Sequence, residues 1–256
     1  MPPFFIAYFW VMDRMTADLI DHLSGFVSEN RLAGFQRVLG ERTRYITVLL
    51  EDIYQAQNAS AVLRTCECVG VQDVHIVEEQ NEYEINPDVS VGSNLWLGLH
   101  HYNSGVPLGG ELHNRKPDRK GGVHITRAIN ALKEQGYRIV ATSPHKEGQT
   151  PENFDLEKGK AAFMFGTELE GLTDQALGMA DEFIQIPMVG FTESYNISVS
   201  AAVIMYTLRK RLEQSSIKWK IDEEEQDCIL LDWLRGSIKM GQQIENKFRK
   251  EYGSTF

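Results

Sequence analysis

The chain reads as an α/β protein, a mostly parallel sheet covered by helices on both faces. Two observations predict it: continuous apolar runs of strand length recur through the middle of the sequence, and they alternate with segments of helical periodicity. A third sets the scale. At 256 residues there is room for one large domain or two small ones with a sizeable core.

The elements come in order along the chain. Leu19, Leu23, Phe26, Leu32, Phe35 and Leu39 have helical spacing, with a break near Gly25. The run "YITVLL" is a buried strand, Asn58–Val69 a helix and "DVHIVE" another strand. Residues 78–122 read as irregular, with an apolar piece at 95–99 and a Gly/Pro/basic loop over 103–122, so that His100 and His101 fall in a loop. Then come a helix over 125–135, the strands "YRIVAT" and "AAFMF", a helix near 174–180, the strand "EFIQIPM" and a long helix over 197–212. The tail from Asp222 to Lys250 reads as one further helix, because Leu230, Leu234, Ile238, Ile244 and Phe248 fall within about 120° of one another on its wheel. The chain thus reads as an N-terminal segment and helical extension over 1–44, an α/β domain over 45–212 and a C-terminal helical extension over 213–256. No internal repeat or low-complexity segment is present.

The opening "MPPFFIAYFWVM" lacks basic residues before its apolar run and a small-residue cleavage site, and it is too short to span a bilayer. It is expected to lie outside the fold, reflecting an early start codon, and no membrane association is expected. A hydrophobic content of 42% with 24% charged residues excludes neither enzymes nor binding modules but does exclude a disordered or fibrous chain. Three cysteines cannot make a disulfide framework, so a reducing, cytoplasmic setting is expected. Cys66 and Cys68 lack a second pair or a histidine at ligand spacing and read as core or near-core thiols.

A net charge of −10 argues against indiscriminate coating of nucleic acid. The basic residues are nonetheless clumped, at Arg31, Arg37, Arg42 and Arg44, at Arg115, Lys116, Arg119 and Lys120, and at Arg209–Arg211 with Lys218 and Lys220. Each clump alone is an ordinary solvated face.

In open parallel sheets ligands bind beyond the carboxyl ends of the strands. Two loops there are unusual. "FGTELEGLT" places two glycines within six residues after a buried strand, with Glu168 between Gly166 and Gly171; it is either a plain turn or a close backbone approach to a ligand. "IPMVGFTESYNISVSAA" offers Ser194 or Asn196 as caps of the following helix, whose exposed N–H groups would suit a carboxylate or phosphate. Asn58 has the same ambiguity at the head of its own helix. Within "NASAVLRTCECVG", Val62, Cys66 and Val69 form the buried stripe, and Arg64 lies roughly 200° away from it. The G-x-G-x-x-G and G-x-x-x-x-G-K-[ST] fingerprints, the G-x-S-x-G elbow and H-E-x-x-H are all missing, which weakens nicotinamide, P-loop, hydrolase and metalloprotease readings.

Taken in order, "NASAVLRT" at 58, "FGTELEGL" at 165 and "IPMVGFTESYNISVSAA" at 186, with "VGSNLW" at 91, resemble the three motifs of the SpoU/TrmH-type branch of the SPOUT RNA 2′-O-methyltransferases. The resemblance spans about residues 45–212. It implies a SPOUT fold whose C-terminal part forms a deep trefoil knot, a homodimer, S-adenosylmethionine as methyl donor, and no metal. Carried over residue by residue, it implies that Thr142, Gly166, Ile186 and Tyr195 line the donor pocket. Asn58, Arg64, Glu168, Ser194 and Asn196 would surround the reaction centre, with Arg64 gripping a phosphate or serving as base. The implied reaction is ribose 2′-O-methylation of RNA, tRNA guanosine-18 first and ribosomal RNA as the alternative. A non-catalytic RNA-binding protein of this fold is the further rival. "YQAQ" before Asn58 lacks the family's usual proline and histidine, Tyr195 replaces its usual leucine, and the 103–122 loop is long, all of which bear on the substrate.

Overall fold

The computed structural model describes residues 14–81, 83–104 and 122–253. The expectation for the first twelve residues lies outside these, as does nearly all of the basic 103–122 loop. The chain divides into two compact units, one comprising Thr43–Trp219 and the other the segments before and after it.

In the larger unit the elements run β1 (Ile46–Glu51), α3 (Ala56–Cys68), β2 (Asp73–Val77), α4 (Pro87–Ser90), a 3₁₀ turn at Ser93–Leu95, β3 (Gly98–Tyr102), α5 (Val123–Glu134), β4 (Arg138–Thr142), β5 (Ala161–Phe165), α6 (Asp174–Met179), β6 (Glu182–Ile184) and α7 (Ile197–Glu213). The six strands form one parallel sheet in the order β3-β2-β1-β5-β4-β6. All side chains of β1, β2 and β5 are buried, as expected of central parallel strands covered on both faces. Alternate residues of β1 serve the two layers. Ile46, Val48 and Leu50 join α3 and α7 through Val62, Leu63, Ile204 and Leu208. Leu49 and its β5 neighbours Ala162 and Met164 join α5 and α6 through Ile129, Leu132 and Ala176.

The register aligns Leu50 with Phe165, Ala141 with Met164, and Thr142 with Ile184. The loops leaving β1, β5, β4 and β6 therefore start at one level, and this places a site.

The smaller unit holds α1 (Arg14–Ser24), α2 (Glu29–Leu39), α8 (Glu223–Ser237) and α9 (Gly241–Gly253). Leu19, Leu23, Leu39, Leu230 and Leu234 are buried within it, and the Phe35 and Trp233 rings meet edge to face at 5.7 Å. Arg235 clamps the buried Glu245 bidentately, at 2.7 and 2.8 Å.

Three expectations are corrected here. Residues 98–102 are an edge strand, so His100 and His101 lie on β3 and not in a loop. Its open side needs no apolar run, which is why the pattern hid it. The tail is two helices, broken where Met240 takes a left-handed φ of 63°; the apolar stripe continues across the break and masks it. Cys66 is a core thiol, but Cys68 is exposed.

Candidate active site

A cavity of about 410 Å³ opens at the carboxyl ends of β4, β5 and β6, within the range of small-molecule sites. Its walls come from three loops: 143–146 after β4, 166–172 after β5, and 185–195 between β6 and α7. Thr142, Gly166, Ile186, Tyr195, Glu168 and Ser194, six of the nine residues singled out from sequence, line it together. Its apolar part includes Leu172, Ile186, Met188 and Ile204. The Thr142 hydroxyl donates to the Met164 carbonyl at 2.7 Å, so that residue is tied to the sheet and turns its remaining surface to the cavity.

Local chemistry shapes these loops. Gly166 leaves no space for a side chain, since a Cβ there would overlap the Gly171 carbonyl and the Leu172 amide. The turn closes on itself through reciprocal backbone bonds between Thr167 and Gly171, both 3.0 Å. Gly171 has φ +69°, the left-handed region that suits glycine.

Behind the cavity a chain of hydrogen bonds joins three motifs. The Asn58 amide donates to Glu168 and, at 3.1 Å, to Gln55. Its carbonyl accepts from the Asn196 amide at 3.2 Å. The Asn196 carbonyl in turn accepts from the Ser198 N–H at 2.9 Å, which caps α7. Asn58 is not the cap of α3, a place held by Gln55; its side chain is buried and spent on Glu168. Two amides relaying to one carboxylate fix both amide orientations, because each NH₂ must face an acceptor. The arrangement pins the start of α3, the β5 loop and the head of α7 to each other.

Arg64 stands apart. It is exposed and does not line this cavity, and no described residue makes a hydrogen bond or ion pair to it. It borders a separate, mainly apolar hollow of about 550 Å³ on the outer face of α3 and α7, with Cys68, Val69, Val203 and Tyr206. Sequence reasoning missed His145 and Lys146, which line the cavity from the β4 loop. The rule that exposed the other two loops, inspecting the connection after each strand, would have found them.

The fold and cavity define an open parallel α/β protein with a nucleoside-sized site at its strand ends and a polar relay behind it. The chain matches the SpoU rRNA Methylase family over residues 45–115 and 122–206. It belongs to that family. It is 41% identical over 235 residues to a tRNA (guanosine(18)-2′-O)-methyltransferase of Borreliella burgdorferi, covering 92% of this chain and 98% of the relative. It is 32% identical over 210 residues to the protein of that name from Thermus thermophilus, covering 81% and 97%. Among solved structures it is similar to the A. aeolicus TrmH/SpoU tRNA modifying enzyme, with a TM-score of 0.67, 27% identity, and coverage of 82% of this chain and 98% of that one. The fold is also shared with the SpoU methyltransferase AviRb from Streptomyces viridochromogenes in complex with AdoMet, at a TM-score of 0.50 and 19% identity over 70% and 62% of the two chains.

Proposed function

We propose that the chain is an S-adenosylmethionine-dependent RNA 2′-O-ribose methyltransferase acting on a D-loop guanosine of tRNA, of the position-18 type. The observation that carries this reading is the six motif residues gathered round one cavity at the strand ends, backed by the Asn58–Glu168–Asn196 relay. Family membership and the names of full-length relatives support the substrate class. The cavity suits the donor by size and by its mixture of apolar wall and polar rim.

S-adenosylmethionine supplies a sulfonium-bound methyl group to a nucleophile. The chain's own residues must then hold the acceptor ribose in line, draw the proton from its hydroxyl and keep the loops still. Glu168, fixed by Asn58, holds the β5 loop against the head of α7, while Ser194 is an exposed residue of the cavity wall. Arg64 is suited to grip the phosphate beside the target ribose; an always-charged guanidinium is a base only where its surroundings force it. We read the protein as a homodimer that uses the apolar hollow beside Arg64, which would put that side chain between two copies. Residues 45–212 are the methyltransferase domain, its C-terminal part drawn through a loop as a trefoil knot. The flanking helices add to the RNA grip, and the setting is cytoplasmic.

The test is methyl transfer from labelled donor to unmodified tRNA, with the product nucleotide mapped. We expect 2′-O-methylation of the D-loop guanosine, and a fall of at least 100-fold for Arg64→Ala, on the order of losing one preorganised charged contact. Label on ribosomal RNA alone would keep the chemistry and change the substrate. No transfer to any RNA would overturn the reading.

A further inference from the structure

We propose that a second cavity beside the donor pocket seats the acceptor guanine, and that Glu193 reads the base. This rests on the guanosine methyltransferase reading above.

The second cavity has a volume of about 470 Å³ and is lined by Gln185, Gly190, Thr192 and Glu193, among others. It shares Pro144, His145, Gln185, Ile186 and Met188 with the first as a common wall. A base is joined directly to the ribose that accepts the methyl group, so once the ribose faces the donor the base must occupy an adjoining space. This cavity adjoins and is large enough. The first cavity alone would have to hold donor and acceptor nucleoside together.

The chemistry of Glu193 selects among bases. A carboxylate only accepts hydrogen bonds, and it has two oxygens to offer. Guanine presents two adjacent donors on its Watson–Crick edge, N1–H and N2–H₂. Adenine and cytosine place a ring-nitrogen lone pair there instead, and uracil offers a single N–H between two carbonyl oxygens. Glu193 is exposed, and no described residue makes a hydrogen bond or ion pair to its carboxylate, so both oxygens are available. A negative charge at the rim of an RNA site opposes the phosphates. It is tolerable where it meets donors.

Phe191 adds a stacking surface. Its side chain is fully exposed, with a relative exposure of 109%, between two residues that line the cavity. An aromatic ring left wholly in water at a site for a flat heterocycle suits base stacking.

The test compares tRNA transcripts carrying guanosine or inosine at the acceptor position. Inosine keeps N1–H and lacks the N2 amine. Wild-type protein should favour guanosine by about 10-fold in kcat/KM, the value of one charge-assisted hydrogen bond. Glu193→Ala should lower transfer to guanosine about 30-fold and bring the guanosine-to-inosine ratio near one, while the dissociation constant of S-adenosylhomocysteine stays within twofold. Glu193→Gln should fall between, its single carbonyl oxygen accepting one of the two donors. Phe191→Ala should weaken both substrates by about 10-fold and leave the ratio intact. If wild type methylates guanosine and inosine equally, or Glu193→Ala keeps the wild-type ratio, the inference fails while the methyltransferase reading stands. A lost ratio accompanied by weakened S-adenosylhomocysteine binding would make Glu193 part of the donor wall and also overturn it. If wild type methylates neither transcript nor any other RNA, the functional reading falls first and takes this inference with it.

Discussion

The carboxyl edge of the sheet has two halves, and they use carboxylates in opposite ways. At the carboxyl ends of β1 and β2 lie Glu51, Asp52, Glu78 and Glu79, and each is consumed by the fold. Glu51 accepts from the Thr173 hydroxyl and amide at 2.6 and 2.9 Å. Asp52 accepts three successive backbone N–H groups, those of Glu79, Gln80 and Asn81, at 2.8–3.1 Å. Glu78 takes His101 and Asn103, at 3.0 and 2.8 Å. Glu79 caps the head of α5, receiving the His124 and Ile125 amides at the positive end of that helix. Beyond β4, β5 and β6, by contrast, Glu168 is held by one amide at the cavity wall, and Glu193 has no partner among the described residues. A carboxylate at a strand end does not mark a site; a carboxylate with capacity left over beside a cavity does.

Burial separates the halves as well. It pushes the Glu51 and Asp52 carboxyls up from their ordinary range, outweighing their hydrogen bonds. Burial would raise Glu78 too, but the bonds from His101, the Tyr83 amide and Asn103 carry it below that range.

The sharpest way to break the contrast is Asp52→Ala. It strands buried N–H groups, each worth about 1–3 kcal/mol, and forces a non-polar residue into the left-handed conformation that Asp52 holds at φ 52°. We expect a loss of about 4 kcal/mol in urea denaturation, with S-adenosylhomocysteine affinity of the folded protein unchanged. A loss under 1 kcal/mol would mean that water or other groups replace the carboxylate and that this half is not closed.

On the open half, two glycines of one turn should respond unequally. Gly166→Ala sets a Cβ against backbone that cannot move cheaply, so about 3 kcal/mol and most donor affinity should be lost. Gly171→Ala has open space and only its positive φ to oppose it, about 1 kcal/mol. Equal responses in thermal melts would show that the turn is looser than its contacts imply.

How far this contrast could be read from sequence depends on what each residue is spent on. Motif order and strand–helix alternation located the cavity-forming loops, because glycine pairs and a capping asparagine are local signals. The burial of β1 and β5 was legible in "YITVLL" and "AAFMF" for the same reason. The fate of the carboxylates was not legible, since Glu51–Thr173 and Asp52–Asn81 are contacts across 122 and 29 positions. Nor was β3: "GLHHY" has no apolar run, and it is a strand because β2 offers it a full ladder from Asp73 to Val77. Arg64 was placed correctly on the face away from Val62, but one chain's sequence carries no trace of what would meet that face.

The smallest effect tests the closed half through pH. His75 is buried on β2, stacked on His100 at 4.6 Å, with Nδ1 3.0 Å from the Tyr102 hydroxyl and with Asp73 and its partner Arg44 nearby on the same network. Burial, aided by His100 and opposed by Asp73, pushes its pKa down to about 3. The folded protein therefore holds His75 neutral where the unfolded chain, with an ordinary value near 6.5, takes up a proton. Stability from this group is fully present above about pH 6.5 and declines as the pH falls, by at most about 1.4 kcal/mol per unit, until the folded form protonates too. Between pH 7.5 and 5.5 the unfolding free energy should drop by about 1.4 kcal/mol more for wild type than for His75→Phe, which keeps a ring in the stack but has nothing to titrate. The difference in slope is the quantity to read, because the substitution's own cost, including the Tyr102 hydroxyl it leaves unpaired, is the same at both pH values. Parallel slopes would mean that water reaches His75 in the folded state, and the β2–β3 half of the sheet would then be less sealed than its hydrogen bonds suggest.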